Sequence, residues 1–350
     1  MKALTIVPGQ RNSASVQDVP EPPAEYGSIL VKALELGICG TDLELVSGEY
    51  GWAPPGSERL VIGHESLGQV VEAPPGSGFA EGELVVGIVR RPDPIPCVAC
   101  GAGEPDMCRN GKYTERGIKE LNGFGSERWR IEPNYAIKLD PTLRSVGVLM
   151  EPASVLAKAW DHTERIGQRA TWRPRTALIT GAGPIGLLGA LMGRQRGLEV
   201  HVLDRVTSGP KPELVEKLGA KYHSGPVANI GCRPDVVIEC TGVASVIVEC
   251  IENVGNDGII CLAGVSAPSH KLTVDIGSIN RDMVLENIVM FGSVNANRRH
   301  WEAAERTLRA ADHSWLSRLI SRKEPLSNWQ SVLERKPDDI KVVIDFTVGA

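Results

Sequence analysis

The stretch Arg175-Thr-Ala-Leu-Ile-Thr-Gly-Ala-Gly-Pro-Ile-Gly186 decides the fold. Its first half is a short apolar run that reads as a buried strand. A G-x-G-x-x-G turn follows directly, and residues 184–196 read as a helix. Such a glycine pattern is weak alone. Here it has a strand before it, a helix after it and an acid, Asp204, closing the next strand, which is the setting of a dinucleotide-binding unit. Gly181 permits the tight turn, Gly183 lets the backbone approach a pyrophosphate, and Gly186 allows close helix–strand packing. Pro184 suits a first helical position, whose N–H has no intrahelical partner. With Ile185 it opens a helix whose free N–H groups face the phosphates. Asp204 is placed to accept hydrogen bonds from the adenosine ribose, which favours NAD. Arg205 is available to pair with a 2′-phosphate, so NADP stays open.

Outward from this turn, strand and helix alternate. Glu199-Val-His-Val-Leu-Asp204, Asp235-Val-Val-Ile-Glu-Cys and Gly258-Ile-Ile-Cys-Leu-Ala-Gly read as strands, with helices over residues 212–219 and 245–254. That alternation predicts a doubly wound parallel sheet. Up to about residue 150 the texture differs. Runs such as Ile29-Leu-Val-Lys-Ala-Leu, Gly68-Gln-Val-Val-Glu-Ala and Glu83-Leu-Val-Val-Gly-Ile are separated by Pro and Gly clusters, which suggests an all-β, barrel-like domain with long loops. A helix is expected over 153–166, helices at 299–311 and 328–335, and a last strand at Ile340-Lys-Val-Val-Ile-Asp-Phe. The expected plan is an α/β two-domain chain. Residues 1–152 form the β-barrel domain, 153–295 the dinucleotide domain, and 296–350 return to the first.

With 350 residues the chain is too long for one ordinary core. Hydrophobic content of 42% and charged content of 23% are those of a soluble globular protein. A net charge of −5 argues against nucleic acid or an anionic membrane as partner. No apolar run approaches the ~20 residues of a membrane span. The N-terminus lacks a signal-peptide profile, so the expected location is the cytoplasm, where eight cysteines stay reduced rather than forming a disulfide framework. Cys232, Cys240, Cys250 and Cys261 are expected to be buried or partly buried free thiols.

Gly37-Ile-Cys-Gly-Thr-Asp42 offers a thiolate, and Gly63-His64-Glu65 an imidazole and a carboxylate. Zinc prefers such ligands. A metal that polarises an oxygen, together with a nicotinamide that takes a hydride, describes an alcohol or sugar dehydrogenase. These two stretches and the glycine turn resemble the zinc-dependent medium-chain dehydrogenases, over nearly the whole chain. Tyr113-Thr-Glu-Arg-Gly-Ile with Asn122-Gly-Phe, Met150-Glu-Pro, and Gly292-Ser-Val-Asn-Ala-Asn-Arg-Arg-His300 are similar, more narrowly, to the archaeal-type glucose (aldose) 1-dehydrogenases.

The resemblance implies a GroES-like barrel, a Rossmann domain, and roles residue by residue. Cys39 and His64 match the first catalytic zinc ligands, and Glu65 an acid that binds zinc directly or through water. Glu151 matches the position completing the metal site. Thr41 matches a proton-relaying hydroxyl, and Asp42 an acid that orients the histidine. Glu115 and His300 match contacts to sugar hydroxyls. Asn295 lies where the family's loop nears nicotinamide and substrate. Cys97, Cys100 and Cys108 look like most of a structural zinc lobe whose first cysteine is missing; Asp93, or less readily Asp106, is the candidate fourth ligand. The implied reaction is oxidation of an aldose at C1 to the aldonolactone, with zinc and NAD or NADP, by a homodimer or homotetramer. A polyol or secondary-alcohol dehydrogenase is the runner-up. A zinc-free quinone or enoyl reductase is disfavoured by Cys39 and His64, and a non-catalytic NAD sensor by the presence of Cys39, Thr41, His64, Glu65 and Glu151 together.

Overall fold

In the computed structural model, which describes residues 1–266 and 272–348, the strand Thr176–Thr180 sits at the centre of a six-stranded parallel sheet. The sheet runs Lys221–His223, Glu199–Leu203, Thr176–Thr180, Val236–Glu239, Ile259–Leu262, Val289–Gly292. The chain leaves the central strand first to one side and then to the other, so a crevice opens at the carboxyl ends, where such sheets bind ligands. Leu178, Val237 and Ile260 lie in the core beneath the helix Ala244–Asn253. This is one of two compact units, Val155–Val294; the other joins Met1–Ser154 to Asn295–Ala350.

The helix Ile276–Leu285 and the strand Val289–Gly292 were not legible in the sequence. Ile276, Val284 and Leu285 are exposed, so the helix lacks the polar outer face that marks amphipathic periodicity. The tail helix expected over 328–335 shortens to Trp329–Leu333, and Ile320–Pro325 forms a strand that its polar sequence hides. Residues 349 and 350 of the expected returning tail lie outside the described residues.

The three glycines of the turn are needed for different reasons. Gly181 adopts φ +83°, which a side chain resists, and its N–H donates to Leu203 O at 2.6 Å. A Cβ on Gly186 would lie 1.7 Å from Gly181 O, while the nearest strand atom, on Ile179, would be at 3.5 Å. The third glycine therefore makes room for the turn itself more than for the strand. A Cβ on Gly183 would meet nothing within 4 Å. Its bareness serves whatever approaches from outside.

In the other unit the ten-residue strand Ile29–Ile38 is the axis. It pairs antiparallel with Glu65–Glu72 on one side and with the final strand Lys341–Asp345 on the other. Gly37 stands opposite Glu65, and Ile38 opposite Val342. Three strands thus deliver Cys39, Glu65 and Lys341 to one end of the sheet. Among the described residues no helix is long and apolar enough to cross a membrane.

The turn geometry separates two substitutions. Gly186→Ala should cost about 2 kcal/mol or more, since backbone must move. Gly183→Ala should cost less than about 1 kcal/mol, yet weaken dinucleotide binding. Denaturant unfolding and a dinucleotide titration test both; equal stability losses would refute the assignment.

Candidate active site

Cys39 ends the axial strand and caps the short helix Gly40–Val46. Its sulfur accepts from Thr41 N–H at 3.3 Å, and Asp42 Oδ2 accepts from Cys39 N–H at 2.9 Å. This reciprocal cap explains the run Cys-Gly-Thr-Asp: the helix start fixes the sulfur and places Thr41 and Asp42 in the first turn. Cys39 Sγ lies 3.1 Å from His64 Nε2, and Asp42 Oδ1 lies 3.5 Å behind the ring at His64 Nδ1. Burial works against charge on Asp42, but His64 outweighs it and holds the carboxyl below its usual range. Burial also works against a charged His64, yet the Cys39 sulfur and Asp42 raise it well above the ordinary histidine range.

Ligand atoms of Cys39, His64 and Glu65 all lie within 4.8 Å of one another. Glu65 has a partner that sequence reasoning missed. Lys341 Nζ donates to its carboxylate oxygens at 2.6 and 2.5 Å and to Ile38 O at 3.3 Å. Both side chains are buried. Gly37 makes this possible, because a Cβ there would stand 2.0 Å from Glu65 Oε2. One signal was available: a lysine inside the apolar run 340–344, since a buried lysine needs an acid. Glu151 is not within the 4.8 Å set. It sits half-buried in the first turn of the helix Met150–Gly167, and burial, reinforced by Glu65 and opposed by His64, pushes its carboxyl up to about 7.

Tyr50 was also missed. Its phenol shares a hydrogen bond with the Thr41 side chain, and burial pushes its pKa up to about 12. Its ring lies 6.1 Å from that of Trp52, which is half-exposed.

The residues expected to touch sugar are partly brought together. Glu115 Oε1 accepts from Asn295 Nδ2 at 2.8 Å and from Arg90 Nε at 3.0 Å. Asn295 holds φ +61°, and its own Oδ1 accepts from Ala296 N–H. His300 is buried as the capping partner of Asn297, whose N–H donates to His300 Nδ1 at 3.3 Å.

In the cysteine lobe, Cys97, Cys100 and Cys108 come within 4.8 Å of one another. The set does not include Asp93. Its Oδ1 accepts from Ile95 N–H at 2.8 Å and its Oδ2 from Asn110 Nδ2 at 2.9 Å, so the expected fourth ligand is already occupied as a local turn-former. Asp106 is buried and also outside the set. The N–H of Arg109 lowers the Cys97 thiol to about 6, and burial raises Cys100 to about 11. Cys232, Cys240, Cys250 and Cys261 are free thiols, the last two buried.

In the dinucleotide unit, Asp204 turns inward. Its Oδ2 accepts from Ala182 N–H at 2.6 Å and its Oδ1 from Val206 N–H at 3.2 Å, with Lys211 Nζ 3.6 Å away. Arg205 is exposed. Glu239, unnoticed in the sequence, is fully buried at the crevice and accepts from Thr180 Oγ1 and the N–H groups of Thr241 and Gly242.

A thiol, an imidazole and carboxylates in a mixed β unit, with a separate doubly wound unit, define the zinc-type medium-chain dehydrogenases. Residues 25–141 match the alcohol dehydrogenase GroES-like domain, and residues 144–346 match the glucose dehydrogenase C-terminus. A glucose 1-dehydrogenase of Methanocella arvoryzae is 39% identical, with 100% of each chain covered, and a glucose 1-dehydrogenase of Caldivirga maquilingensis is 39% identical over 99% of each. The solved structure of Haloferax mediterranei glucose dehydrogenase in complex with NADP, Zn and gluconolactone superposes with a TM-score of 0.91, at 31% identity and 99% coverage of each chain. The chain belongs to the glucose dehydrogenase family.

The ion pair beneath the site makes a firm expectation. Lys341→Met strands a buried carboxylate and should cost about 3–5 kcal/mol, whereas adding Glu65→Leu should recover much of it. Denaturant unfolding of the two variants is the check, and a neutral Lys341→Met would refute the pairing.

Proposed function

We propose that the protein is an aldose 1-dehydrogenase, oxidising C1 of a glucose- or galactose-type sugar to the aldonolactone with NAD or NADP. The observation that carries this reading is the facing pair Cys39 Sγ and His64 Nε2, 3.1 Å apart, in a chain so similar to an enzyme solved with gluconolactone. The donor set fits zinc. A soft sulfur and an imidazole converge, and a buried acid stands behind the imidazole, as metal-bound histidines require. Cys39 and His64 would hold the ion, and Glu65 or Glu151 would complete the donors directly or through water. When bound, zinc lowers the pKa of the sugar hydroxyl and nicotinamide accepts the C1 hydride.

The chain's own groups do the rest. The Thr41 N–H donates to the Cys39 sulfur and holds it at the helix start. Asp42 fixes the tautomer and orientation of His64. The Thr41 hydroxyl takes the sugar proton as it gives its own to solvent, or the proton leaves through water held by Glu65; Tyr50, a neutral phenol beside Thr41, orients that hydroxyl. Lys341 offsets the charge of Glu65 and so limits the excess negative charge around the ion. Glu115, Asn295 and His300 recognise sugar hydroxyls. A carboxylate that loses such a partner is left unpaired, and this is how polar sites discriminate. Gly181, Gly183 and Gly186 with Pro184 and Ile185 form the pyrophosphate cradle, and Asp204 shapes it. The three cysteines of the lobe hold a second, weaker zinc without help from Asp93. Such an enzyme works in the cytoplasm, where its thiols stay reduced.

The experiment is a panel of aldoses, polyols and secondary alcohols, followed at the NADH absorbance with both dinucleotides. Glucose or galactose should be turned over. Cys39→Ala should abolish turnover and leave dinucleotide affinity nearly intact. Activity on simple alcohols with none on any aldose would promote the alcohol dehydrogenase reading, and normal turnover by Cys39→Ala would remove the metal from the mechanism.

The protein also works as a homodimer or homotetramer. In support, among the described residues the edge strand Val289–Gly292 has an unpaired side, and Val265, Ile276, Val284, Leu285 and Val294 are exposed in the same unit. Open edges and apolar patches are normally covered. Sedimentation should give at least twice the 37.6 kDa of one chain, and a monomer at all concentrations would refute this.

A further inference from the structure

We propose that Arg90 is the positioning residue for sugar recognition, holding Glu115 from an anchorage in the cysteine lobe. The inference rests on the reading of Glu115 as a sugar contact and adds what sets that contact in place.

Arg90 stands directly opposite Glu115 in the antiparallel pair Arg90–Arg91 with Thr114–Arg116. It is buried, and every direction of its guanidinium is used. Nε and Nη2 both reach Glu115 Oε1 at 3.0 Å, and Nη1 donates to Asp106 O at 3.1 Å. The plane stacks on Tyr113, with the central carbon 3.7 Å from the ring centre. Asn295 adds a further donor to the same oxygen. Among the described residues the side-chain bonds on Glu115 all fall on Oε1, and none falls on Oε2. A carboxylate clamped through one oxygen, with the other presented, is a fixed acceptor for a hydroxyl.

The clamp sits close to the candidate metal residues. A Cβ at Gly117 would lie 2.5 Å from Gly63 O, and Phe124 N–H donates to the same Gly63 O at 2.9 Å. The loop carrying Glu115 is therefore laid against the residue preceding His64. The lobe grips this region twice. Asp106, the Arg90 acceptor, lies between Cys100 and Cys108 in the turn Pro105–Met107. Glu104 accepts from Arg299 Nη1 at 2.6 Å, and Arg299 adjoins His300. A lobe outside the Cys39 and His64 cluster thus fixes both segments assigned to the sugar. A lysine at position 90 keeps the charge and loses the fork, so it cannot bind carboxylate and carbonyl at once.

The test compares Arg90→Gln, Arg90→Lys, Glu115→Gln and the double variant Arg90→Gln with Glu115→Gln. Arg90→Gln should raise the aldose KM by about tenfold or more, with kcat changed less than about threefold. The dissociation constant for gluconolactone, read by tryptophan fluorescence, should rise in parallel. Arg90→Lys should fall between, and the double variant should be no worse than Glu115→Gln alone. If Arg90→Gln does not fold, Arg90→Lys carries the same criteria. Unchanged aldose kinetics in Glu115→Gln would overturn the sugar-contact reading, and this inference with it. A loss in Glu115→Gln without one in either Arg90 variant overturns the inference alone. So does a fall in kcat with KM and lactone binding unchanged, or additive losses in the double variant.

Discussion

A carboxylate buried in a sheet needs a cation, and Lys341 supplies it to Glu65. Much of the β unit is arranged to let that contact form. The axial strand must run ten residues so that Cys39 emerges at its end. Glu65 must open the neighbouring strand, and Lys341 must open the strand on the far side. A one-residue slip in either pairing would turn the side chain to the opposite face. Gly37, between them, has no side chain because the carboxylate occupies its space. The final strand thus adds more than an edge to the sheet, since without its lysine the buried Glu65 carboxylate would lose its cation.

Several groups serve the fold and the chemistry with the same atoms. The Cys39 sulfur is both helix cap and candidate ligand, and Asp42 closes the cap with one oxygen and faces His64 with the other. Such sharing keeps the reactive atoms rigid, because moving them would also unwind a helix start. It also complicates truncation. His300→Ala removes the ring that accepts from Asn297 N–H, so any kinetic loss would mix recognition with a frayed helix terminus.

The sequence carried what is local. The glycine turn, its flanking strand and helix, and the pair Cys39 and His64 all rest on short-range patterns with known physical demands. Contacts that need the finished fold were hidden. Glu65 and Lys341 are 276 positions apart, and only a paired sheet makes them neighbours. No local pattern marks Arg90, and only the strand pairing puts it on Glu115. Asp93 has contacts that spacing could not reveal: its two oxygens accept from Ile95 N–H and Asn110 Nδ2.

Asp204 carries the same lesson to the dinucleotide. At the end of the second strand an acid is expected to face the ribose and repel a 2′-phosphate. Both its oxygens instead accept backbone N–H groups, from Ala182 and Val206, so its first task is to hold the glycine turn. Its charge is offset by Lys211 at 3.6 Å, and Arg205 beside it is exposed. The carboxylate thus stands beside Lys211 and next in sequence to Arg205, and is not an isolated negative charge. Three side chains, not one acid alone, therefore set the charge at the end of this strand.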